Sequence, residues 1–201
     1  GVVAHELAHA WSGNSVTAAS AEHFWLNEAF TMWGERRILA AVAGAEVARA
    51  HAAGGRRALD GALAAFAAQP ERTRLRLALD GVDPDEGLSI VPYEKGYLML
   101  RALEETLGTE AFAAFVRDYF ARFAGLSITT EAFHQFAAAR APQFAFADWL
   151  NQSGLPASVG SDESALEPAE AGALPPDWFN QLQAGRIKQL RHAARVGGPI
   201  I

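Results

Sequence analysis

Residues 5–9 read His-Glu-Leu-Ala-His, and Glu28 follows inside Trp25-Leu26-Asn27-Glu28. No other feature restricts the fold as tightly, because three metal-ligating side chains must converge from two separate elements. On a helix, positions 5 and 9 lie one above the other, about 5–6 Å apart at Cβ. Two imidazoles so placed can reach one metal at about 2.0–2.1 Å. Glu6 points away from that shared face and should miss the metal, but it can reach a water held there. A catalytic zinc takes three protein ligands and keeps one position open. Glu28 is the candidate third ligand, so the chain must fold back across residues 10–27.

The plainer alternative is a polar helix face with two solvated histidines. The surrounding Gly1-Val-Val-Ala and Leu7-Ala8 are apolar or small. They lead one to expect a buried helix, in which a His-Glu-His triplet would need partners. Glu28 lies in its own Phe24-Trp25-Leu26-Asn27-Glu28-Ala29-Phe30 run.

His5 to His9, Trp11-Ser12-Gly13-Asn14 and Trp25 to Phe30 together resemble the M1 family of zinc aminopeptidases, including the gap from His9 to Glu28. Thermolysin-like endopeptidases, with a gap one residue longer, are less similar. Val91-Pro92-Tyr93-Glu94-Lys95-Gly96 resembles the segment carrying that family's catalytic tyrosine. Ser127-Ile128-Thr129-Thr130 and Trp149-Leu150-Asn151-Gln152-Ser153-Gly154-Leu155-Pro156 look most like its leukotriene A4 hydrolase branch. The resemblance covers about residues 1–156. It implies a mainly α fold, the thermolysin-like helical catalytic lobe of an M1 metallopeptidase, truncated at both ends. It also implies release of N-terminal amino acids from peptides, with one zinc per chain.

The implied roles follow residue by residue. His5, His9 and Glu28 hold the zinc, whose bound water has a pKa lowered to about 7. Glu6 is the general base and then acid. Tyr93 stabilises the oxyanion. By sequence chemistry alone Tyr93 reads first as a half-buried packing residue, and the resemblance of Pro92-Tyr93-Glu94-Lys95-Gly96 reverses that reading. Glu35, two turns after Glu28, could accept a hydrogen bond from a ligand histidine or pair at the surface with Arg36 or Arg37. The family pattern favours the histidine. Asp85 matches an acidic position of the substrate pocket, and it also reads as a turn-forming Asp after Pro84. His23, His51, His134 and His192 lack ligand spacing and read as surface or ordinary polar residues.

Two departures matter. The Gly-x-Met-Glu-Asn segment that grips the substrate's amine in this family is absent, and it normally lies upstream of the zinc helix. Leu88 stands where the leukotriene-hydrolase branch carries a second tyrosine, which counts against an epoxide hydrolase. An endopeptidase, a bifunctional epoxide hydrolase and a catalytically silent helical interaction module remain the rival readings.

Half of the 201 residues are hydrophobic, enough for a sizeable core. The net charge of −6 argues against a nucleic-acid partner and suits a substrate with a free amino group. Without cysteine there are no disulfides and no thiolate ligands. No apolar run approaches the ~20 residues of a membrane span. The cytoplasm is the compartment expected, with the periplasm or secretion left open. The chain starts without Met, with a metal ligand in its first turn and no capping residue before it. It is therefore expected to be a piece of a longer protein, normally packed against N- and C-terminal domains. Alone it should be weakly active or inactive.

The pattern predicts a catalytic helix to about Ser12 stopped by Gly13, a loop over 14–21, and helices near 22–42 and 45–68. A strand or extended segment follows at 72–79, then a loop over 80–92. Further helices are expected at 94–107, 109–124 and 130–141, the last capped by Thr130. Phe112, Phe115, Val116, Tyr119, Phe120 and Phe123 mark an apolar helix face. The catalytic domain is expected to end near 156. Residues 157–176 read as an acidic flexible linker and 177–201 as a short helical tail, with Arg186, Lys188, Arg191 and Arg195 on one face.

Overall fold

The computed structural model describes residues 1–79, 81, 83, 88–157 and 159. At its centre is α2 (Trp25–Ala43), whose residues Trp25, Leu26 and Glu28 to Arg36 are all buried. An amphipathic helix has one apolar stripe. α2 is instead covered on every side through its first three turns, so its polar residues there must find partners inside the protein. α1 (Val2–Ala8), α3 (Ala45–Ala65) and α4 (Val91–Leu107) all pack on it. Gly96 of α4 lies against Ala29; a Cβ added there would come within 2.7 Å of the Ala29 Cβ. Absence of a side chain at 96 is what lets α2 and α4 approach this closely.

α5 (Thr109–Phe123), α6 (Thr130–Ala138) and α7 (Phe146–Asn151) complete the core. Phe30 stacks on Tyr119, with ring centroids 4.5 Å apart and planes 9° from parallel. Trp25 meets Phe133 edge to face at 5.2 Å. Ring geometry adds about 0.5–1.5 kcal/mol per pair. Burying each side chain contributes about 1.5–3 kcal/mol, so removal of apolar area from water is the larger effect.

Mainly α is therefore the observed class. The differences from expectation are local. α1 ends at Ala8, four residues before Ser12. Ala10 N–H bonds Leu7 O and Trp11 N–H bonds Ala8 O, which tightens the last turn. The Ser12 hydroxyl is drawn off to Leu26 O and Asn27 O at the start of α2. Two strands, β1 (Val16–Ala18) and β2 (Leu126–Ile128), pair in parallel with Val16 opposite Leu126. Three residues are too few for a period-two pattern, so sequence reading leaves them as loop. α4 begins at Val91 rather than 94, because Pro92 is accommodated in the first turn. α3 and α6 stop at Ala65 and Ala138, a turn short of their expected ends.

Thr130 is not the cap of α6. Thr129 is, accepting from Ala132 N–H at 3.2 Å. Thr130 is buried and accepts from the Trp25 indole N–H at 2.9 Å. Residues 72–79 form the end of a 3-10 turn (Pro70–Thr73) and then an extended run that pairs with no strand among the described residues. The buried Lys95 ammonium donates to Thr73 O and Gln152 O, at 2.9 and 2.8 Å. This ties the segment after α7 to α4. The linker and tail expected after 156 lie outside the described residues, apart from 157 and 159. Among the described residues, no helix is long and apolar enough to cross a membrane.

Candidate metal centre

α1 projects His5 and His9 from consecutive turns, with ring centroids 4.8 Å apart and planes nearly perpendicular. Glu28 enters from the first turn of α2. Its Oε2 lies 3.3 Å from His5 Nε2 and 3.8 Å from His9 Nε2. The three candidate ligand atoms all fall within 4.8 Å of one another.

The far side of each ring explains the convergence. His5 Nδ1 donates to Glu35 Oε2 at 3.0 Å. His9 Nδ1 donates to Ser12 O at 2.8 Å, and the Thr31 hydroxyl lies 3.2 Å away. With Nδ1 occupied on both rings, Nε2 is the atom each ring turns toward Glu28 and the one left to bind a metal. Thr31 and Glu35 follow Glu28 by three and seven residues, so one face of α2 supplies a ligand and two supports. Glu35 Oε1 also meets His51 Nε2 of α3 at 3.2 Å. Glu35 is thus buried between two imidazoles, while its neighbours Arg36 and Arg37 pair with Glu94 and Glu104 of α4.

The electrostatics describe a site short of positive charge. Pairing with Glu28 and then Glu35 outweighs burial and raises His5 to about 9. Burial alone would raise Glu35, but the hydrogen bond from His5 and the charges of His51, His5 and Arg36 bring it below the usual carboxylate value. Glu28 Oε2 is fully buried and takes no well-formed hydrogen bond. A buried carboxylate oxygen left in this state is costly. A cation between it and the two Nε2 atoms removes that cost. Two imidazole nitrogens and one carboxylate oxygen are also a donor set found at catalytic zinc, so the residues present fit the metal.

α1 is not the buried helix that its apolar residues suggest: of its residues only Ala4 and Ala8 are buried, and Val2, Val3, Glu6 and Leu7 are exposed. The Tyr93 ring lies 6.1 Å from the His5 ring and 5.8 Å from Phe24, in the first turn of α4. Burial, then the carboxylates of Glu28 and Glu6, pushes the Tyr93 phenol above its ordinary value. It stays protonated and able to donate. Leu88 is half exposed. Asp85 lies outside the described residues.

Sequence reading missed Ser12, Thr31 and His51 as supports. Ser12 lies within the Trp11-Ser12-Gly13-Asn14 motif, and Thr31 has the right spacing from Glu28. His51 had no local signal, since α3 must fold back on α2 before it meets Glu35. His23 is no simple surface residue either; its Nδ1 accepts from Thr130 N–H at 3.2 Å. His134 packs at 5.6 Å on Phe146. His192 is outside the described residues.

The sequence profile of the Peptidase family M1 domain matches residues 1–147. Leucine aminopeptidase 2 of Aspergillus terreus is 48% identical over 132 residues, which are 66% of this chain and 21% of the relative. Native leukotriene A4 hydrolase from Saccharomyces cerevisiae superposes with a TM-score of 0.72 at 38% identity, over 79% of this chain and 27% of that one. The M1 zinc metallopeptidase from Deinococcus radiodurans gives a TM-score of 0.60 at 30% identity, over 77% and 33%. The chain spans between 21% and 31% of the length of the curated relatives it matches.

Proposed function

Since the chain belongs to peptidase family M1, we propose that it supplies the metal and proton-transfer centre of a zinc aminopeptidase that releases N-terminal amino acids from peptides. The observation that carries this is the buried Glu28 Oε2, without a well-formed hydrogen bond, lying 3.3 and 3.8 Å from two histidine Nε2 atoms whose Nδ1 positions are already held. Its similarity to a leucine aminopeptidase and to a zinc metallopeptidase supports this reading.

His5, His9 and Glu28 would hold one zinc per chain. Zinc in such a site activates water and polarises a carbonyl. Glu6 takes the proton from the attacking water and returns it to the leaving amine; its exposure leaves it accessible to both. Tyr93 remains protonated and donates to the oxygen on which charge develops. Glu35 and the Ser12 carbonyl keep the two rings from rotating, which spares the site a reorganisation during reaction. Asp85 is assigned to the substrate pocket on the resemblance alone. Val2, Val3 and Leu7 are exposed on α1 and are where further parts of such an enzyme would pack.

The test is turnover of a leucyl anilide by the complete protein, with zinc measured alongside. Activity that requires zinc and is lost in Glu6→Gln supports the reading. Stoichiometric zinc in His9→Ala would sink the ligand assignment. The likeness to leukotriene A4 hydrolase makes an epoxide fatty acid the second substrate to try. With Leu88 in place of a tyrosine, its hydrolysis should be weak or absent, and efficient conversion would refute that.

A further inference from the structure

Two charged residues that the mechanism does not use meet in the interior between α2, α3 and α4. Arg36 and Glu94 are each 3% exposed. Arg36 Nη2 reaches both carboxylate oxygens of Glu94, at 2.7 and 2.6 Å. The guanidinium also lies 3.8 Å over the Tyr97 ring. Its Nε and Nη1 are buried without a hydrogen bond. A Cβ added to Gly55 of α3 would come within 2.2 Å of Glu94 Oε1 and 2.5 Å of Arg36 Nη2. Gly55 therefore closes over the pair with no room to spare.

We propose that this Arg36–Glu94 clamp, seated against Gly55, is a positioning device that sets Tyr93 at its place over the metal centre. Glu94 follows Tyr93 directly, in the first turn of α4. Arg36 follows Glu35, the residue that orients His5. The pair thus joins the turn that aligns the metal site to the turn that carries the tyrosine. Desolvating two charges makes a buried ion pair a weak source of net stability. It does impose a definite geometry, because a displaced partner leaves a charge buried alone. The three candidate ligands belong to α1 and α2, which the clamp does not connect. Only Tyr93 travels with α4, so a shift at the clamp reaches the tyrosine and spares the metal.

This inference rests on the reading of Tyr93 as oxyanion donor, and the experiment separates the two. In the complete protein, Gly55→Ala inserts a methyl against the carboxylate without touching the site. Glu94→Gln keeps the volume and removes the charge, and it carries the test if Gly55→Ala does not accumulate folded. Each should lower kcat, by up to about 10²-fold for a displacement near 1 Å. KM and zinc affinity, the latter read by chelator competition, should stay within about threefold, since neither depends on Tyr93. In a Tyr93→Phe background the same changes should cost almost nothing further, because the group they misplace is gone. Effects that multiply independently of Tyr93→Phe would overturn the clamp and leave the role of Tyr93 standing. Zinc loss in step with kcat would overturn it as well, showing a general structural defect. Unchanged kcat in Tyr93→Phe itself would remove both the oxyanion role and the clamp.

Discussion

On one side of α2, Phe30 and Trp33 press into the rings of Phe112, Tyr119, Phe120 and Phe133. On another, Glu28, Thr31 and Glu35 meet His5, His9 and His51. The aromatic side tolerates many ring arrangements, since burial of apolar area supplies most of its stability and has no direction. The metal side depends on direction. Each carboxylate is buried and each needs a cation or donor at a particular angle. The first side makes the fold stable and the second makes it specific, although the two lie within three turns of one helix.

Substitutions on the two sides should therefore separate stability from chemistry. The largest expected effect is on the aromatic side. Phe133→Ala empties a site buried among Trp25, Phe30, Tyr119 and Phe146. It should cost about 3–5 kcal/mol in denaturant unfolding, with zinc content of the folded fraction unchanged. A loss under about 1 kcal/mol would mean that the aromatic side is not the stabilising one.

Glu6→Gln is the reverse case. Turnover by the complete protein should fall at least ~10²-fold, the scale of a positioned base. Because Glu6 is exposed, the unfolding midpoint should hardly move. A large drop in stability would blur the contrast.

Lys95 sharpens it on the α4 side, where a charge is buried without a carboxylate. Burial, and then the charge of Arg74, lowers its ammonium to about 7. The unfolded chain holds that proton up to an ordinary lysine value near 10.4. Between those limits the unfolded state binds more protons, so stability rises with pH, by as much as about 1.4 kcal/mol per pH unit from this group. Below pH 7 the contribution is flat. Lys95→Met should remove the slope, read as the difference between the two unfolding curves from pH 7 to 10. Parallel curves would show that Lys95 stays charged in the fold.

The smallest effect belongs to neither side. Thr129→Ala removes the cap of α6 and should cost about 1 kcal/mol, with activity untouched. No measurable change would mean that another group caps the helix.

The sequence was most legible where a residue's role is set by neighbours a few positions away. His5 and His9 share a helix face by their spacing alone, and Phe112 to Phe123 mark theirs in the same way. Tyr93 needed the motif around it, for a single tyrosine carries no spacing. β1 and β2 were illegible, being three residues each and paired across more than a hundred positions. Pro92 read as a breaker because a proline at a helix start and one in a loop look alike until the helix is seen.

The sequence by itself determined which atoms could bind a metal and that two of them must ride on one helix. Covalent structure and the 3.6-residue turn settle both without any knowledge of the rest. Only the tertiary structure decided that Glu35 would turn inward to His5 rather than outward to Arg36 or Arg37. It also decided that Arg36 would be buried against Glu94, and that His51 would arrive at the far side of Glu35. Those outcomes depend on how closely α1, α3 and α4 pack around α2. A buried charge takes whichever partner that packing brings within reach, since leaving it unpaired away from water costs more than any local preference can offset.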